Sequence, residues 1–253
     1  MTSPVVLFLP AHDEQENVGA VIGRVPARVR NHPVVCLVID DGSDDATAAV
    51  AADAGARVMS APTNEGLGAA VRRGLAAALA LEPAAVAFCD ADGEYAPEEL
   101  EDVAAPILDG DADYVVGSRF AGRIDSMRPH RRMGNRLLTW CLARLAGASI
   151  TDGQSGYRAL SPAAAARATI AHDYNYAQVL TLDLLAKGFR YAEVPISYRF
   201  RRHGRSFVRP VTYLRQVVPA VWRQLQGATA RSERLPADAP GGQRASGAMW
   251  RVS

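Results

Sequence analysis

Short apolar runs alternate with polar clusters along the first half of the chain. The apolar runs predict strands over residues 5–9, 34–39, 56–59, 86–89 and 114–119. Continuous apolar runs of this length are typical of strands buried on both faces of a parallel sheet. The segments between them have helical patterns, two of which end near residues 25 and 81. Strands that alternate with helices at this spacing predict an α/β fold with a doubly wound, mostly parallel sheet flanked by helices.

Polar residues cluster just after the predicted strands. The clusters span residues 10–17, 40–47, 64–70 and 90–95. In a doubly wound sheet, ligands bind beyond the carboxyl ends of the parallel strands. The sequence therefore predicts a binding site at that edge of the sheet.

The second half of the chain has a less regular pattern. It predicts a basic loop over residues 123–132, helices over 135–145, 162–168 and 176–186, and a turn-rich stretch over 151–158. A strand over 191–198 contains Pro195, which favours a position at the sheet edge. We expect one domain over 1–210, a helix over 211–225 and a disordered tail over 226–253. The apolar stripe of the 211–225 helix fits packing on the domain and binding in a bilayer interface equally well.

The composition is that of a globular protein, with 49% hydrophobic and 22% charged residues and a net charge of +1. That balance conceals an asymmetry, since residues 1–126 carry 8 arginines against 21 acids and residues 127–226 carry 16 basic residues against 4 acids. An acidic half and a basic half indicate a cation bound by one and phosphates bound by the other. No apolar run reaches the length of a membrane span, and the amino terminus has no signal-peptide pattern. The three cysteines have the pattern of buried thiols, so we expect a reducing, cytoplasmic location that includes the cytoplasmic face of the membrane.

The polar cluster after the fourth predicted strand contains an Asp-x-Asp pair. Side chains alternate along a strand, so Asp90 and Asp92 point the same way at its carboxyl edge. Two carboxylates so close repel each other unless a hard cation lies between them, and Mg²⁺ or Mn²⁺ binds such oxygens together with substrate phosphates. The tripeptide alone also occurs in ordinary turns, so its interpretation depends on the surrounding motifs.

Several motifs occur in order along residues 4–208, and together they resemble one family. They are Pro10 with Asp13-Glu14-x-Glu16-Asn17, Asp40-Asp41-Gly42-Ser43-x-Asp45-x-Thr47, Asn64-x-Gly66-Leu67-Gly68, Asp90-Ala91-Asp92, Gly117-Ser118-Arg119, Asp152-x-x-Ser155-Gly156-Tyr157-Arg158 and Glu193-Val194-Pro195-Ile196. This set resembles the inverting family 2 glycosyltransferases of the GT-A fold, and most closely the dolichyl-phosphate mannose synthases and related polyprenyl-phosphate sugar transferases. The chain departs from the family pattern at His12 and Asp13, and Phe207 stands where the family has Lys. The last departure bears on the acceptor more than on the donor.

The resemblance implies a metal-dependent transfer, with inversion, of a hexose from GDP-hexose or UDP-hexose to a polyprenyl phosphate. It implies Mg²⁺ or Mn²⁺ at Asp90 and Asp92, and peripheral contact with a membrane but none with nucleic acid. Glu94 stands where family members often have Gln, and its carboxylate is a candidate third metal ligand that should strengthen divalent binding. The implied donor-binding residues are Pro10, Glu14, Asp40, Asp41, Gly68, Asp90, Ala91, Asp92 and Arg202. The implied acceptor-binding residues are Arg119, Arg131, Arg132, Ser155, Arg158, Arg201 and Ser206. The candidate catalytic residues are Asp92, Arg119 and Asp152.

Two other functions fit the same residues. A glycosyltransferase with a soluble hydroxyl acceptor would need a carboxylate base, for which Asp152 is the candidate, although it also suits a turn before Gly153. A phosphate acceptor, already an anion near neutral pH, would need positioning rather than a base. A catalytically silent sugar-nucleotide-binding subunit is disfavoured by the intact Asp90 and Asp92. The residues leave the sugar, the nucleotide base, the acceptor and the oligomeric state open.

Overall fold

The computed structural model of the protein describes residues 2–125, 127, 129–170 and 176–199, with the side chains of residues 130 and 131 outside this description. The expected helix over 211–225, the expected tail over 226–253 and three candidate site residues fall outside the described residues. Those three residues are Arg201, Arg202 and Ser206.

The described residues form an α/β domain in which strands and helices mostly alternate. The amino-terminal half contains β1 (Val5–Ala11), α1 (Val18–Ile22), β2 (Arg28–Val29), β3 (His32–Asp40), α2 (Thr47–Asp53), β4 (Arg57–Ser60), α3 (Leu67–Leu79) and β5 (Ala85–Phe88). A 3-10 turn over Pro97–Glu99 leads into α4 (Leu100–Leu108), followed by β6 (Tyr114–Ile124) and α5 (Pro129–Ala146). The remaining elements are β7 (Arg158–Leu160), α6 (Pro162–Arg167), α7 (Ala177–Ala186) and β8 (Tyr191–Tyr198).

The strands form one mixed sheet in the order β2-β3-β1-β5-β7-β6-β8, with β4 also paired to β3. The β1 strand runs parallel to both β3 and β5, and β6 runs parallel to β8. The short β7 strand lies antiparallel between β5 and β6. The predicted mostly parallel α/β sheet is therefore confirmed, and the antiparallel strand inside it is an addition.

The central strands β1 and β5 are buried on both faces of the sheet, as their continuous apolar runs predict. Along β1, Val5, Leu7 and Leu9 belong to one hydrophobic cluster, whereas Val6 and Phe8 belong to the other. This division follows from the two-residue period of a strand, which sends successive side chains to opposite faces. Helices packed on each face complete the two clusters, so the strand ends are held in a fixed register.

The segment between β6 and α5 differs from the prediction of a basic loop over residues 123–132. The β6 strand continues to Ile124, because Arg123 and Ile124 pair with Ser197 and Tyr198 of β8 beyond an irregularity in the register. The α5 helix then begins at Pro129, a residue that suits a first helical position because its missing N–H would be unpaired there. In the first half, α1 ends at Ile22 rather than near residue 25.

The position of β8 confirms the prediction for the strand that contains proline. The β8 strand is the last in the sheet order, and an edge strand can accommodate Pro195 because one of its sides has no neighbouring strand. Across the described part of the chain, no helix combines the length and the apolar character needed to cross a membrane.

Candidate active site

The loops after β1 and β3 join at the carboxyl edge of the sheet. The N–H of Asp41 donates to the carbonyl oxygen of Ala11 at 2.8 Å. The N–H of Glu14 donates to Thr47 Oγ1 at 2.8 Å, and Glu14 itself is nearly buried. Pro10 is the next-to-last residue of β1. The structure therefore brings the predicted donor-binding residues of the first two motifs to one edge, since Asp40 is the last residue of β3.

Asp41 connects this edge to the start of α3. Its Oδ2 accepts a hydrogen bond from the N–H of Gly66 at 2.7 Å, and its Oδ1 accepts one from the N–H of Glu65 at 3.2 Å. The guanidinium of Arg73, in the second turn of α3, also pairs with Asp41. Gly66 has φ +96°, a conformation that glycine adopts without strain. Asp41 therefore shapes the loop beneath the predicted donor site, in addition to the donor contact that the resemblance implies.

The hydrogen bonds of Asp40 stay within its own loop, and Gly68 lies inside α3. The Oδ1 atom of Asp40 accepts from the N–H of Ser43 at 3.1 Å and from its hydroxyl at 2.5 Å. Such a turn closed by an Asp side chain is common where a strand gives way to a loop. Gly68 is buried in the first turn of α3. Their contacts with a donor stay predictions.

The Asp-x-Asp loop follows β5 and packs against the turn before β7. The Oδ1 atom of Asp92 accepts a hydrogen bond from the N–H of Glu94 at 3.0 Å, across a turn in which Gly93 has φ +77°. Asp90 lies against Gly156, so closely that a Cβ added to Gly156 would stand 2.7 Å from Asp90 Oδ2. Ala91 between the two aspartates is buried. The glycine of the Ser-Gly-Tyr-Arg motif thus leaves the space that the Asp90 carboxylate needs.

In the part of the chain that the structure describes, three carboxylates are not gathered into one metal site. Glu94 accepts a hydrogen bond from the Tyr198 hydroxyl at 2.6 Å through its Oε2, and its carbonyl oxygen accepts one from the N–H of Arg199 at 2.9 Å. Within the described residues, no group of three or more His, Cys, Asp or Glu side chains is arranged to hold a metal ion. The Glu94 carboxylate thus joins the loop to the end of β8, and its role as a third metal ligand stays a prediction.

Asp90 and Asp92 nevertheless fit a divalent cation. Mg²⁺ is usually bound by one or two protein carboxylates, with water and substrate phosphate oxygens completing its coordination. Two aspartates at the carboxyl edge of the sheet, beside loops suited to a nucleotide, offer this kind of ligand set. The fit concerns the number and the chemistry of the oxygen ligands, and Asp92 is buried deeply enough (6% exposed) to favour a bound cation over solvent.

Arg119 and Asp152 form a buried ion pair beside this edge. Arg119 Nε donates to Asp152 Oδ2 at 2.6 Å, and Arg119 Nη2 donates to Oδ1 at 2.8 Å. The backbone N–H of Arg119 reaches the same Oδ2 at 3.1 Å, and the N–H of Gln154 reaches Oδ1 at 3.2 Å. Asp152 is fully buried and Arg119 is 5% exposed. Both carboxylate oxygens of Asp152 thus accept hydrogen bonds within the protein.

This arrangement bears on the predicted catalytic roles of Arg119 and Asp152. Burial alone would lower the pKa of Arg119, but the negative charge of Asp152 and its hydrogen bonds to the guanidinium raise that pKa above its usual value. Arg119 therefore stays a cation at every accessible pH. Asp152 is held by two nitrogens of one guanidinium, so its lone pairs are committed to an ion pair rather than directed at a substrate hydroxyl. The geometry favours a positioning role for Asp152 over the role of a general base.

Glu193 supports the Asp152 turn, although the motif that contains it suggests no role for it. Its carboxylate accepts the N–H of Thr151 at 3.0 Å and the N–H of Asp152 at 3.2 Å. Tyr191, two residues earlier on β8, donates its hydroxyl to Glu193 at 2.6 Å. The acid of the Glu-Val-Pro-Ile motif thus fixes the backbone of the turn that presents Asp152 to Arg119.

Arg158 lies in the core rather than at an acceptor site. Its guanidinium donates to the carbonyl oxygens of Ser155 and Ala177, both at 2.9 Å, and to the hydroxyls of Tyr114 and Thr181. It is fully buried. The expected contact of Arg158 with an acceptor is thus corrected, because neutral oxygen atoms of the protein surround the cation.

The other predicted acceptor residues have varied positions. Ser155 is also fully buried, and its hydroxyl accepts the N–H of Tyr157 at 3.3 Å. Arg132 is exposed on α5. Arg131 belongs to the same helix, but its side chain lies outside the described residues. Of the acceptor set, Arg119 stands at the edge of the site, and Arg132 lies on the neighbouring helix.

The sequence of the chain is similar to those of known proteins. The family model described as Glycosyl transferase family 2 matches residues 6–164. Polyprenol monophosphomannose synthase of Mycolicibacterium smegmatis is 30% identical to the chain, over 80% of the chain and 80% of its own length. Dolichyl-phosphate hexose transferase of Haloferax volcanii is 31% identical, over 78% of the chain and 83% of its own length.

A solved structure shares the same architecture. Glucosyl-3-phosphoglycerate synthase from Mycobacterium tuberculosis, in complex with Mn²⁺, uridine diphosphate and glucosyl-3-phosphoglycerate, is 26% identical to the chain. The superposition has a TM-score of 0.70 and covers 88% of this chain and 80% of that one.

Proposed function

This chain belongs to glycosyl transferase family 2 and has the GT-A fold, and we propose that it transfers a hexose from GDP-hexose or UDP-hexose to the phosphate of a polyprenyl phosphate. Its membership of the family makes it a glycosyltransferase. Two relatives are named for lipid-linked sugar transfer, one for a polyprenol monophosphate and one for a dolichyl phosphate. These names support the acceptor class, and the geometry around Asp152 supports it independently.

On the donor side, the proposal assigns the nucleotide to the loops after β1 and β3. Pro10, Glu14, Asp40 and Asp41 would contact the base and ribose, with Gly68 at the start of α3 nearby. Asp90, Ala91 and Asp92 would lie against the diphosphate, and Asp90 and Asp92 would hold Mg²⁺ or Mn²⁺. When bound, the cation supplies charge neutralisation to the leaving nucleoside diphosphate. The structural neighbour has been solved with Mn²⁺ and with Mg²⁺ beside uridine diphosphate, which supports this assignment.

The choice of acceptor rests on one observation, the hydrogen bonds between Asp152 and Arg119. A hydroxyl acceptor needs a base within hydrogen-bond reach, and both oxygens of the candidate base already accept hydrogen bonds from Arg119. A phosphate monoester is an anion near neutral pH, so it needs orientation and charge compensation instead. Arg119, fixed in place by Asp152, is suited to orient that phosphate. The guanidinium also matches phosphate geometry better than a lysine would.

The proposed reaction is a single displacement. An oxygen of the acceptor phosphate forms a bond to the anomeric carbon of the sugar, while the bond from that carbon to the donor diphosphate breaks. The bonding electrons leave with the nucleoside diphosphate. Attack from the face opposite the leaving group inverts the anomeric configuration. The residues of this chain contribute by holding the two phosphates on opposite sides of the sugar.

A soluble phosphorylated acceptor is the second candidate. The structural neighbour is named for transfer to phosphoglycerate, and its acceptor also carries a phosphate. In that case the reacting group would be a hydroxyl, and Asp152 would have to leave its pair with Arg119 to act as a base. A silent sugar-nucleotide-binding subunit is the third reading, and the loop with Asp90 and Asp92 at the sheet edge argues against it.

One assay separates these readings. The protein is incubated with Mg²⁺ or Mn²⁺ and a panel of GDP-hexoses and UDP-hexoses, in the presence of a detergent-solubilised polyprenyl phosphate, of 3-phosphoglycerate, or of no acceptor. Release of nucleoside diphosphate is followed in each mixture, with and without a chelator. We expect release that depends on the polyprenyl phosphate and stops with the chelator. Release with 3-phosphoglycerate alone would support the second candidate, and no release with any donor would contradict the proposal.

A further inference from the structure

One face of α5 exposes large apolar side chains to solvent. Met133 is 73% exposed, Leu137 and Trp140 are each 61% exposed, and Leu145 is 47% exposed. Met133, Leu137 and Trp140 are separated by four and three residues, which places them on the same face of a helix. Single exposed apolar residues are ordinary. A stripe of several such residues, including a tryptophan, instead marks a surface that binds another protein, a ligand or a membrane. We call Met133, Leu137 and Trp140 the α5 stripe.

The charged residues of α5 are all of one sign. The helix sequence PHRRMGNRLLTWCLARLA contains four arginines and no aspartate or glutamate. Three of these arginines, Arg132, Arg136 and Arg144, are exposed beside or within the stripe. Basic side chains that flank an apolar face containing tryptophan are the pattern of helices that lie in the interface of an anionic bilayer. A helix with four arginines and no acidic residue favours an anionic partner over one whose surface mixes acidic and basic groups.

The opposite face of the same helix contacts the candidate site. Thr139 is buried, and its Oγ1 accepts the N–H of Gly153, next to Asp152, at 3.1 Å. Leu142 is also buried, and it packs with Ile150 and Leu182. Towards the start of the helix, the guanidiniums of Arg136 and Arg119 lie 5.9 Å and 6.0 Å from the ring centre of Phe120. A surface in contact with the exposed face of α5 is therefore separated from the turn that contains Asp152 only by the α5 helix itself.

We propose that the α5 stripe and its arginines dock the protein on an anionic lipid surface, with the acceptor side of the site directed at the membrane. The choice of a lipid surface rests on the lipid-linked acceptor proposed above. A polyprenyl phosphate stays anchored in the bilayer with its phosphate at the surface, so an enzyme that uses this acceptor must come to that surface. The α5 stripe would enter the acyl boundary, while the arginines bind lipid phosphates.

Vesicle flotation tests the docking. The full-length protein is mixed with vesicles of phosphatidylcholine, or of phosphatidylcholine with phosphatidylglycerol, at low and at high salt. The test variant carries Met133→Gln, Leu137→Gln and Trp140→Gln together. A second variant carries Arg136→Gln and Arg144→Gln. The matched control is Met59→Gln, at a residue on β4 that is 46% exposed but far along the chain from α5.

We expect the wild-type protein and the Met59→Gln control to bind the anionic vesicles, and to bind less at high salt. The triple variant should lose about tenfold or more in partition coefficient, and the arginine variant should lose most of the preference for phosphatidylglycerol. Equal thermal midpoints for all four proteins exclude misfolding, since every substituted side chain is exposed. Unchanged vesicle binding by the triple variant overturns the proposal. So does a wild-type protein that fails to bind but forms a dimer which the triple substitution dissociates.

A second readout separates this docking from the proposed function. Nucleoside diphosphate release is measured with a polyprenyl phosphate in detergent and with the same acceptor embedded in anionic vesicles. Docking predicts that the triple variant matches the wild-type protein in detergent but is slower by about tenfold or more on vesicles. Equal rates on vesicles contradict docking. If the wild-type protein releases nothing with either form while the vesicle binding above still depends on the stripe, the acceptor assignment fails and the lipid-binding surface stands.

Discussion

The two aspartates of the Asp-x-Asp loop are only two residues apart, yet their surroundings differ. Asp90 is partly exposed and lies against Gly156, whereas Asp92 is buried and accepts the N–H of Glu94. A buried carboxylate carries a desolvation cost that a bound cation offsets. Of the two, Asp92 therefore depends more strongly on a cation to stabilise its charge.

We predict that Asp92→Asn abolishes most activity with little effect on folding. The amide oxygen of asparagine can still accept the N–H of Glu94, so the free energy of unfolding should change by less than about 1 kcal/mol. The lost charge weakens the binding of the cation, and kcat/KM for nucleoside diphosphate release should fall by about a hundredfold or more. Asp53→Asn, at an exposed position at the end of α2, is the matched control. Turnover close to wild type in the Asp92 variant would rule out the metal role.

The Arg119–Asp152 pair gives a second prediction at this scale. Asp152→Asn leaves a buried guanidinium without its anion, and removing one partner of a buried pair costs about 3–5 kcal/mol. The double variant Arg119→Met/Asp152→Asn should lose less free energy of unfolding than the two single variants lose together, because it removes both charges. Urea unfolding of the wild type, the two single variants and the double variant gives the coupling energy.

An exposed ion pair serves as the control for that cycle. Both side chains of the Arg30–Asp109 pair are exposed to solvent. Asp109→Asn should therefore leave the free energy of unfolding almost unchanged. Additive effects at Arg119 and Asp152 would mean that the two residues do not act as a unit. The Asp152 variant should also lose activity even where it stays folded, since Arg119 is then no longer held in one orientation.

Among the elements, those with strong local patterns could be predicted and those defined by distant partners could not. The continuous apolar runs of β1 and β5 predict both the burial and the parallel pairing of these strands. In contrast, β7 has three residues, and its character as a strand comes from its pairing with β5 and β6 on either side. The extension of β6 to Ile124 likewise depends on β8, more than seventy residues later in the chain.

The candidate site follows the same division. The acids at the carboxyl edge could be predicted, because the polar clusters come directly after the strands. The pairing of Arg119 with Asp152, 33 residues apart, could not, because the choice of a distant partner has no local signal. The predicted acceptor contact of Arg158 fails for a related reason. An arginine in a turn-rich motif suggests a ligand contact, yet carbonyl and hydroxyl oxygens of several elements surround this one.

The contact between α3 and β1 gives a prediction at the element scale. A Cβ added to Gly74 would stand 2.4 Å from the ring of Phe8, which stacks on Phe88 in the core. Gly74→Ala must therefore push α3 away from the sheet, and we expect a loss of about 1–3 kcal/mol in the free energy of unfolding. Gly134→Ala, at a helical glycine of α5 with nothing within 4 Å of the added Cβ, should instead stabilise by about 0.5–1 kcal/mol. Thermal melts that rank the two variants in the opposite order would contradict this packing.

Over the whole molecule, burial of ionisable groups predicts a loss of stability in alkali. Burial raises the pKa of Cys36 to about 12 and that of Cys89 well above its usual value. Burial likewise raises the pKa values of several core tyrosines, namely Tyr95, Tyr114, Tyr157, Tyr176, Tyr191 and Tyr198. In the unfolded chain these groups lose their protons from about pH 9 for the thiols and pH 10 for the phenols, whereas in the folded protein they keep them.

The sign of the effect follows from this difference in bound protons. Above about pH 9 the unfolded state binds fewer protons than the folded state, so the free energy of unfolding falls as the pH rises. Below that pH the contribution of these groups is fully present. Each group adds a slope of up to about 1.4 kcal/mol per pH unit between its unfolded and its folded pKa. Urea unfolding at pH 7, 8, 9, 10 and 11 should therefore show a plateau followed by a steep decline, at about those pH values.

Cys36→Ala isolates one group in this titration. The substitution removes a single thiol from β3, so the slope between about pH 9 and 12 should become shallower by up to about 1.4 kcal/mol per pH unit. Any packing loss from the smaller side chain lowers the whole curve equally and leaves its slope unchanged. Cys141→Ala, on α5 rather than in the sheet, provides the comparison. A stability that stays level from pH 9 to 11 in the wild-type protein would show that these thiols and phenols already titrate in the folded state, and that the sheet is less tightly closed to solvent than its buried strands indicate.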